Sequence, residues 1–256
     1  MVFRPDSYNN MTNVNAKVAY DAGLRNYMLR IFNWMASGLL LTALVSYLVV
    51  NTSLGNIFYH PVVMGYRTIG ITPTLLGYIA IFSPLAFVLV MSFGVNRLST
   101  QAAQTLFWVF CGVMGVSMAN IFYVYTGESI VRTFVVTAGM FAGMSLWGYS
   151  THKDLTGIGS FLGMGLFGLV LAMVANIFFK SGQLGLIINI VGVIIFTGLA
   201  ATDTQRIKLS YQNLYQYEGS DIVLKASVYD ALSMYLNFIN LFQFMLQFMG
   251  VRQNDN

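Results

Sequence analysis

Charge is scarce in this sequence. Only 9% of its 256 residues are Asp, Glu, Lys or Arg, where an ordinary soluble domain carries about 25%. With 57% of the residues hydrophobic, a water-soluble globule of this size would lack the polar surface it needs. A soluble enzyme, a disordered tail and a disulfide scaffold are all excluded. The single cysteine, Cys111, rules out an intramolecular disulfide or a cysteine metal cluster. No Lys/Arg run interrupts the chain, and the net charge of +4 is too scattered to grip nucleic-acid phosphates. His60 and His152 are the two histidines, and no His-Glu-x-x-His, Gly-x-Ser-x-Gly or Gly-x-x-x-x-Gly-Lys motif occurs. No lysine sits deep in an apolar run to form a retinal Schiff base. Catalysis has nothing specific behind it, so no enzyme, cofactor or resident metal is expected. What remains is an all-α, polytopic membrane protein.

What is present is a series of long apolar runs. At 1.5 Å per residue, about twenty residues cross a hydrocarbon core of about 30 Å. Seven runs reach that length: about Tyr27 to Val50, Pro73 to Phe93, Ala102 to Tyr125, Val131 to Tyr149, Gly157 to Phe179, Leu184 to Thr204, and Asp221 to Met249. The first begins too far into the chain for a cleaved signal peptide and is expected to remain as a signal anchor. A polar loop with His60 and Pro61 follows it. A polar stretch, Gln205 to Gly219, precedes the last run, for which Ser220 is the expected N-cap, with Asp221 set against the positive end of the helix dipole. No long linker divides the chain. The expected organisation is a cytoplasmic N-terminal tail (1–26), one seven-helix membrane domain (27–250) and a short C-terminal tail (251–256).

Lys and Arg set the orientation. Nine of them, from Arg4 and Lys17 through Arg97 and Lys153 to Arg206, Lys208 and Lys225, fall on the N-terminal side; Arg67, Arg132, Lys180 and Arg252 fall on the other. The excess predicts a cytoplasmic N-terminus. Small residues at four-residue spacing, Gly139 with Gly143 and Gly159 with Gly163, are expected to let helix backbones approach closely.

An ionisable side chain in lipid is costly and marks a reason for its presence. Asp6, Asp21, Asp154, Glu218, Asp221 and Asp255 fall in loops, tails or a helix start, and Glu128 with Arg132 reads as a solvated pair. Asp203 and Asp230 remain. On the last helix Asp230, Ser233, Asn237 and Asn240 step by three, four and three, which places them on one face; Gln243 and Gln247 continue the line. Such a stripe cannot face hydrocarbon, so the helix is expected at the centre. Two readings stand for the stripe, a hydrogen-bonded helix interface or a polar path beside Asp203. Two also stand for Asp203: an interfacial acid paired with Arg206, Lys208 or Arg97, or a gate. A poorly solvated carboxylate disfavours its charged form, so an acid of this kind can latch in response to pH. The lone amides Asn120, Asn176 and Asn189 are expected to bond between helices.

Four blocks are familiar together: Tyr149-Ser-Thr-His-Lys-Asp-Leu-Thr-Gly-Ile-Gly-Ser-Phe-Leu, Ser83-Pro-Leu-Ala-Phe, Thr202-Asp-Thr-Gln and Ala231-Leu-Ser-Met-Tyr-Leu-Asn-Phe-Ile-Asn-Leu-Phe. They resemble the transmembrane Bax inhibitor motif family, in its bacterial inner-membrane branch, over about Tyr27 to Gly250. The resemblance implies seven helices with the last in the centre. It also implies a pH-responsive calcium leak gated by two aspartates that share a proton when closed. Asp203 matches the first aspartate, whereas the second falls at Asn237. The pair here has one titrating group and one negative charge fewer. An acid that some members carry in the second helix falls near Ala86 and is absent, while the arginine after it matches Arg97.

The expected function is a slow cation leak in the inner membrane, with calcium as the favoured ion, Asp203 as gate, Asn237 as its partner, and Ser233, Asn240 and Asp230 along the path. Arg97 and Arg206 are the gate's candidate partners. The alternative is a non-conducting modulator of a membrane-bound protease or stress machinery, with residues 1–26 as its handle. The bilayer is the expected surrounding in either case, and no nucleic acid is.

Overall fold

The computed structural model describes the backbone of residues 6–64, 67–94, 98–217 and 220–253, with side chains described outside 6–17, 61–71, 85, 88 and 91–97. In chain order the elements are α1 (Asp6–Asn51), α2 (Gly55–Phe58), β1 (Tyr59–Met64), β2 (Arg67–Pro73), α3 (Leu75–Gly94), α4 (Thr100–Met118), α5 (Ile121–Val124), α6 (Gly127–Ser150), α7 (Thr156–Phe179), α8 (Gly182–Leu214), a 3-10 turn (Tyr215–Tyr217) and α9 (Asp221–Met249). Among the described residues six helices are long and apolar enough to cross a membrane, carried by α1, α4 with α5, α6, α7, α8 and α9. The run expected at Pro73 to Phe93 forms α3, whose described side chains count only as a shorter apolar stretch, Leu75–Pro84.

These helices hide an apolar stripe on one side and present another outward. Phe161, Met164, Phe167, Ile177 and Phe178 of α7 are exposed, as are Leu40 and Leu44 of α1. In water such surface would drive association; in a bilayer it is the face that meets lipid. α9 is the most buried of the six and packs against α1, α4, α6 and α8. Aromatic edges lock those contacts: Tyr235 meets Phe107 and Phe110, Phe238 meets Phe134 and Phe141, and Phe244 stacks on Phe196. Between α1 and α4, Thr42 Oγ1 donates to the Cys111 carbonyl at 2.9 Å and lies 2.7 Å from the Tyr235 hydroxyl. Ser46 donates to the Gly115 carbonyl. Hydroxyls that reach a neighbouring backbone in this way join helices where no water competes.

Several local expectations give way. α1 is helical from Asp6, with Leu24 and Tyr27 buried, so the helix begins well ahead of the apolar run expected from Tyr27. The stretch Gln205 to Gly219 does not begin as a loop, because α8 continues to Leu214; its Ile207 and Tyr211 are fully buried and supply the apolar stripe that extends the helix. The polar loop after α1 holds an antiparallel hairpin, Tyr59 opposite Pro73 and Met64 opposite Arg67, with an irregular register between Val62 and Val63. Tyr59 anchors it, its hydroxyl donating to the Val116 carbonyl at 2.9 Å. Burial and the neighbouring Tyr123 push this phenol up to about 12, so it stays a neutral donor. Ser220 occupies the N-cap position of α9, but its hydroxyl donates backward to the Tyr217 carbonyl and caps nothing. Glu128 and Arg132 do form an exposed pair, at 2.6 Å.

The glycine pairs are not the close contacts. A Cβ at Gly139, Gly143 or Gly163 would meet nothing within 4 Å, and one at Gly159 would lie 3.5 Å from Thr202 Cβ. The tight crossing of α6 with α8 is at Gly148, where a Cβ would run into the Ala201 carbonyl oxygen. Backbone cannot yield there as a side chain could. Gly148→Ala is therefore expected to destabilise the fold by about 1–3 kcal/mol through overpacking, while Gly139→Ala is neutral or slightly stabilising. Thermal unfolding of both variants in detergent checks this, and equal behaviour would contradict the placement of α6.

Candidate functional site

Two residues of α8 and three of α9 converge on one cluster. On α8, Asp203 and Arg206 lie one turn apart; on α9, Asp230, Ser233 and Asn237 lie on one face, as three-and-four spacing requires. Asp203 Oδ2 accepts from Ser233 Oγ and from Asn237 Nδ2, both at 2.7 Å. Its Oδ1 accepts from Arg206 Nε at 3.2 Å. The same guanidinium reaches Ser233 Oγ at 3.4 Å and Asp230 Oδ1 at 3.8 Å. Asp230 Oδ2 in turn accepts from the Tyr27 hydroxyl of α1 at 2.7 Å. The cluster thus ties α1, α8 and α9 together through two carboxylates and one guanidinium.

Burial makes this arrangement consequential. The Asp203 and Asp230 side chains are 18% and 14% exposed, and Arg206 is 53% exposed. A largely desolvated carboxylate must be compensated by donors, and Asp203 has three. Asn237, buried, contributes a donor that an acid in its ionised form cannot offer. An aspartate at 237 would place a second acceptor against Asp203 and could bond only by sharing a proton. With asparagine the contact needs none.

A pocket of about 380 Å³ between α7 and α8 reaches the cluster, with Asp203, Arg206, Gln205, Thr156, Ser160 and Thr202 in its wall. The connection beside it is held firmly. Gln205 Oε1 accepts from the Leu155 amide at 2.8 Å, and its Nε2 donates to the Lys153 carbonyl at 2.8 Å. Asp154 accepts from the Thr156 amide at 2.9 Å; the Thr156 hydrogen bonds hold this exposed carboxyl below its usual range. Its contribution to the loop is present above the ordinary carboxylate range and is lost as pH falls through its lowered value.

Other expected members lie elsewhere. Asn240 turns to its own helix, Nδ2 donating to the Leu236 carbonyl. Lys208 does not pair with Asp203; it donates to the Tyr149 carbonyl at 2.7 Å and lies over that ring. Arg97 falls outside the described residues. Asn176 accepts from the Ser181 amide within the α7–α8 turn and so stabilises a local bend; a helix-to-helix bond was the expectation. Asn120 occupies the N-cap position of α5 without a capping bond. Tyr27 and Gln205 were not foreseen, since one tyrosine among 15 at the start of an apolar run carries no signal of its partner. Among the described residues no three of His, Cys, Asp and Glu gather as a metal site would require.

Tyr27→Phe removes one donor from Asp230. It is expected to lower stability by about 1.5–3 kcal/mol, the range for a hydrogen bond to a charged group, seen as a lower unfolding temperature; an unchanged temperature would contradict the bridge to α1.

The chain matches the family model described as inhibitor of apoptosis-promoting Bax1 over residues 24–254. It is 40% identical over 234 residues to the inner membrane protein YbhL of Escherichia coli strain K12, covering 91% of this chain and 94% of that protein. A protein of Caulobacter vibrioides is 42% identical over 236 residues, 92% of each chain. One of Rickettsia prowazekii is 39% identical over 245 residues, 95% of this chain and 97% of the relative.

Proposed function

We propose, on the premise that this chain belongs to the family of inhibitors of apoptosis-promoting Bax1, that it is a seven-span inner-membrane protein providing a slow, pH-responsive cation leak, with calcium as the favoured ion. The observation that carries the reading is the Asp203 carboxylate, held by Arg206, Ser233 and Asn237 at the wall of a pocket. The seventh crossing is α3, whose 20 residues rise about 30 Å. α9 is the central helix, a role supported by its packing against α1, α4, α6 and α8. The nine-to-four distribution of Lys and Arg supports a cytoplasmic N-terminus, and YbhL is named an inner membrane protein.

In the closed state Arg206 is the counter-ion of Asp203. Its contact of 3.2 Å is the longest of the three on that carboxylate, and the half-exposed guanidinium can move. A cation entering through the α7–α8 pocket competes with Arg206 for the same oxygen, while Ser233 and Asn237 keep the carboxylate in place. Beyond the latch, the buried hydroxyls of Thr133 and Thr137 on α6 have no hydrogen-bond partner among the described residues, and α6 packs against both α8 and α9, so these oxygens are available to the path. One carboxylate with amides and hydroxyls is a weaker site for a hard divalent ion than several carboxylates, which accords with a slow leak.

Liposomes loaded with a calcium dye test the reading. Purified protein is expected to give flux above empty vesicles, Asp203→Asn to lose at least about tenfold of it, and Arg206→Ala to raise it. A tenfold loss corresponds to about 1.4 kcal/mol at the barrier. No flux at any pH would overturn the leak and leave the non-conducting modulator. Asn237→Asp restores two acids that must share a proton and should steepen the pH dependence of flux; an unchanged profile would show that α8 and α9 do not gate.

A further inference from the structure

The end of the bundle remote from the Asp203 cluster carries a second polar concavity. α7 closes on Lys180, the one non-glycine residue at positive φ (50°) among the described residues, and Ser181 then opens α8, its hydroxyl accepting from the Leu184 amide. Asn176 braces the bend through its Oδ1, which leaves its Nδ2 facing Gly185, where a Cβ would lie 3.5 Å from it. From the other side comes the chain after α9. The Val251 amide donates to Ser129 Oγ, the Thr126 amide donates to the Val251 carbonyl, and Arg252 bridges Tyr125 in an antiparallel backbone pair. Those bonds fix Arg252 opposite the α7–α8 bend.

Between them lies a pocket of about 570 Å³. Lys180, Arg252, Asn176, Asn189 and Gln247 supply its polar lining, together with the first turn of α8, and among the described residues no carboxylate lines it. Neither Lys180 nor Arg252 forms an ion pair among the described residues. The first turn of a helix adds unsatisfied N–H donors and positive potential. On its outer side the wall is apolar: Ile177 and Leu186 line it and are exposed, on the surface a bilayer would cover. A polar anionic head above and hydrocarbon below is the chemistry that this shape complements.

We propose that this pocket binds the headgroup of an anionic glycerophospholipid in the leaflet on the side of the α7–α8 turn. Lys180 and Arg252 neutralise the phosphodiester, Asn176 and Gln247 bond its ester and glycerol oxygens, and the acyl chains descend along Ile177 and Leu186. The lipid would clasp the α7–α8 bend to the end of α9.

Full-length protein in mild detergent, exposed to phosphatidylglycerol or phosphatidylcholine and examined by native mass spectrometry, tests the proposal. Phosphatidylglycerol is expected to be retained in preference to phosphatidylcholine. Near a charged surface each cation contributes about fivefold in affinity, so Lys180→Ala with Arg252→Ala should lower retention by roughly thirtyfold. Arg132→Ala removes a cation outside the pocket and should change nothing. Gln247→Glu, at an exposed position, puts a carboxylate in the pocket and should reduce phosphatidylglycerol retention in a protein whose fold is not at stake. Equal retention of the two lipids, an equal loss in Arg132→Ala, retention unaffected by Gln247→Glu, or displacement of the lipid by millimolar inorganic phosphate would each overturn it.

Discussion

An ionised carboxylate inside an apolar bundle has to be surrounded by donors, and the structure around Asp203 is organised by that requirement. Ser233 and Asn237 on α9 and Arg206 on α8 meet it, which fixes the rotation and height of α9 against α8. Arg206 then extends the constraint to Asp230, and Tyr27 carries it to α1. Burying a charge costs several kcal/mol when it is unpaired, far more than any one apolar contact here could return. The aromatic contacts of Tyr235, Phe238 and Phe244 fill space around a geometry that the polar cluster specifies.

The asparagine at 237 changes the chemistry of this cluster more than its shape. Two facing acids must hold a proton between them to stay together, and they part when it leaves. Asp203 and Asn237 bond without one. The counter-ion role therefore passes to Arg206, whose half-exposed guanidinium spans both carboxylates. One arginine thus joins the two carboxylates, and its half-exposed side chain is the most accessible member of the cluster.

Much of this was legible in the residues. Asp221 and Met249 bound the last helix as expected, because a polar stretch and Gly250 frame a continuous apolar pattern. The step from Asp230 to Ser233 and Asn237 announced one face, and an acid at 203 in an apolar run announced a partner. Other features depend on what stands opposite in space, which spacing alone does not carry. Tyr27 lies 203 residues from Asp230. Gly148 is no different in sequence from Gly139, yet one faces the Ala201 carbonyl and the other faces outward. α8 outlasts its apolar run because Ile207 and Tyr211 find burial against the bundle, and the hairpin after α1 depends on Tyr59 reaching a carbonyl of α4.

The central claim is that Asp203 and Asn237 act as one unit joining α8 to α9. A double-mutant cycle of Asp203→Ala and Asn237→Ala, read by equilibrium unfolding in detergent, measures that coupling directly. The account predicts an interaction energy of about 1–3 kcal/mol, as for residues sharing one hydrogen-bond network. Strict additivity of the two losses would show that the contact specifies nothing, and the account of how this bundle is held would fail.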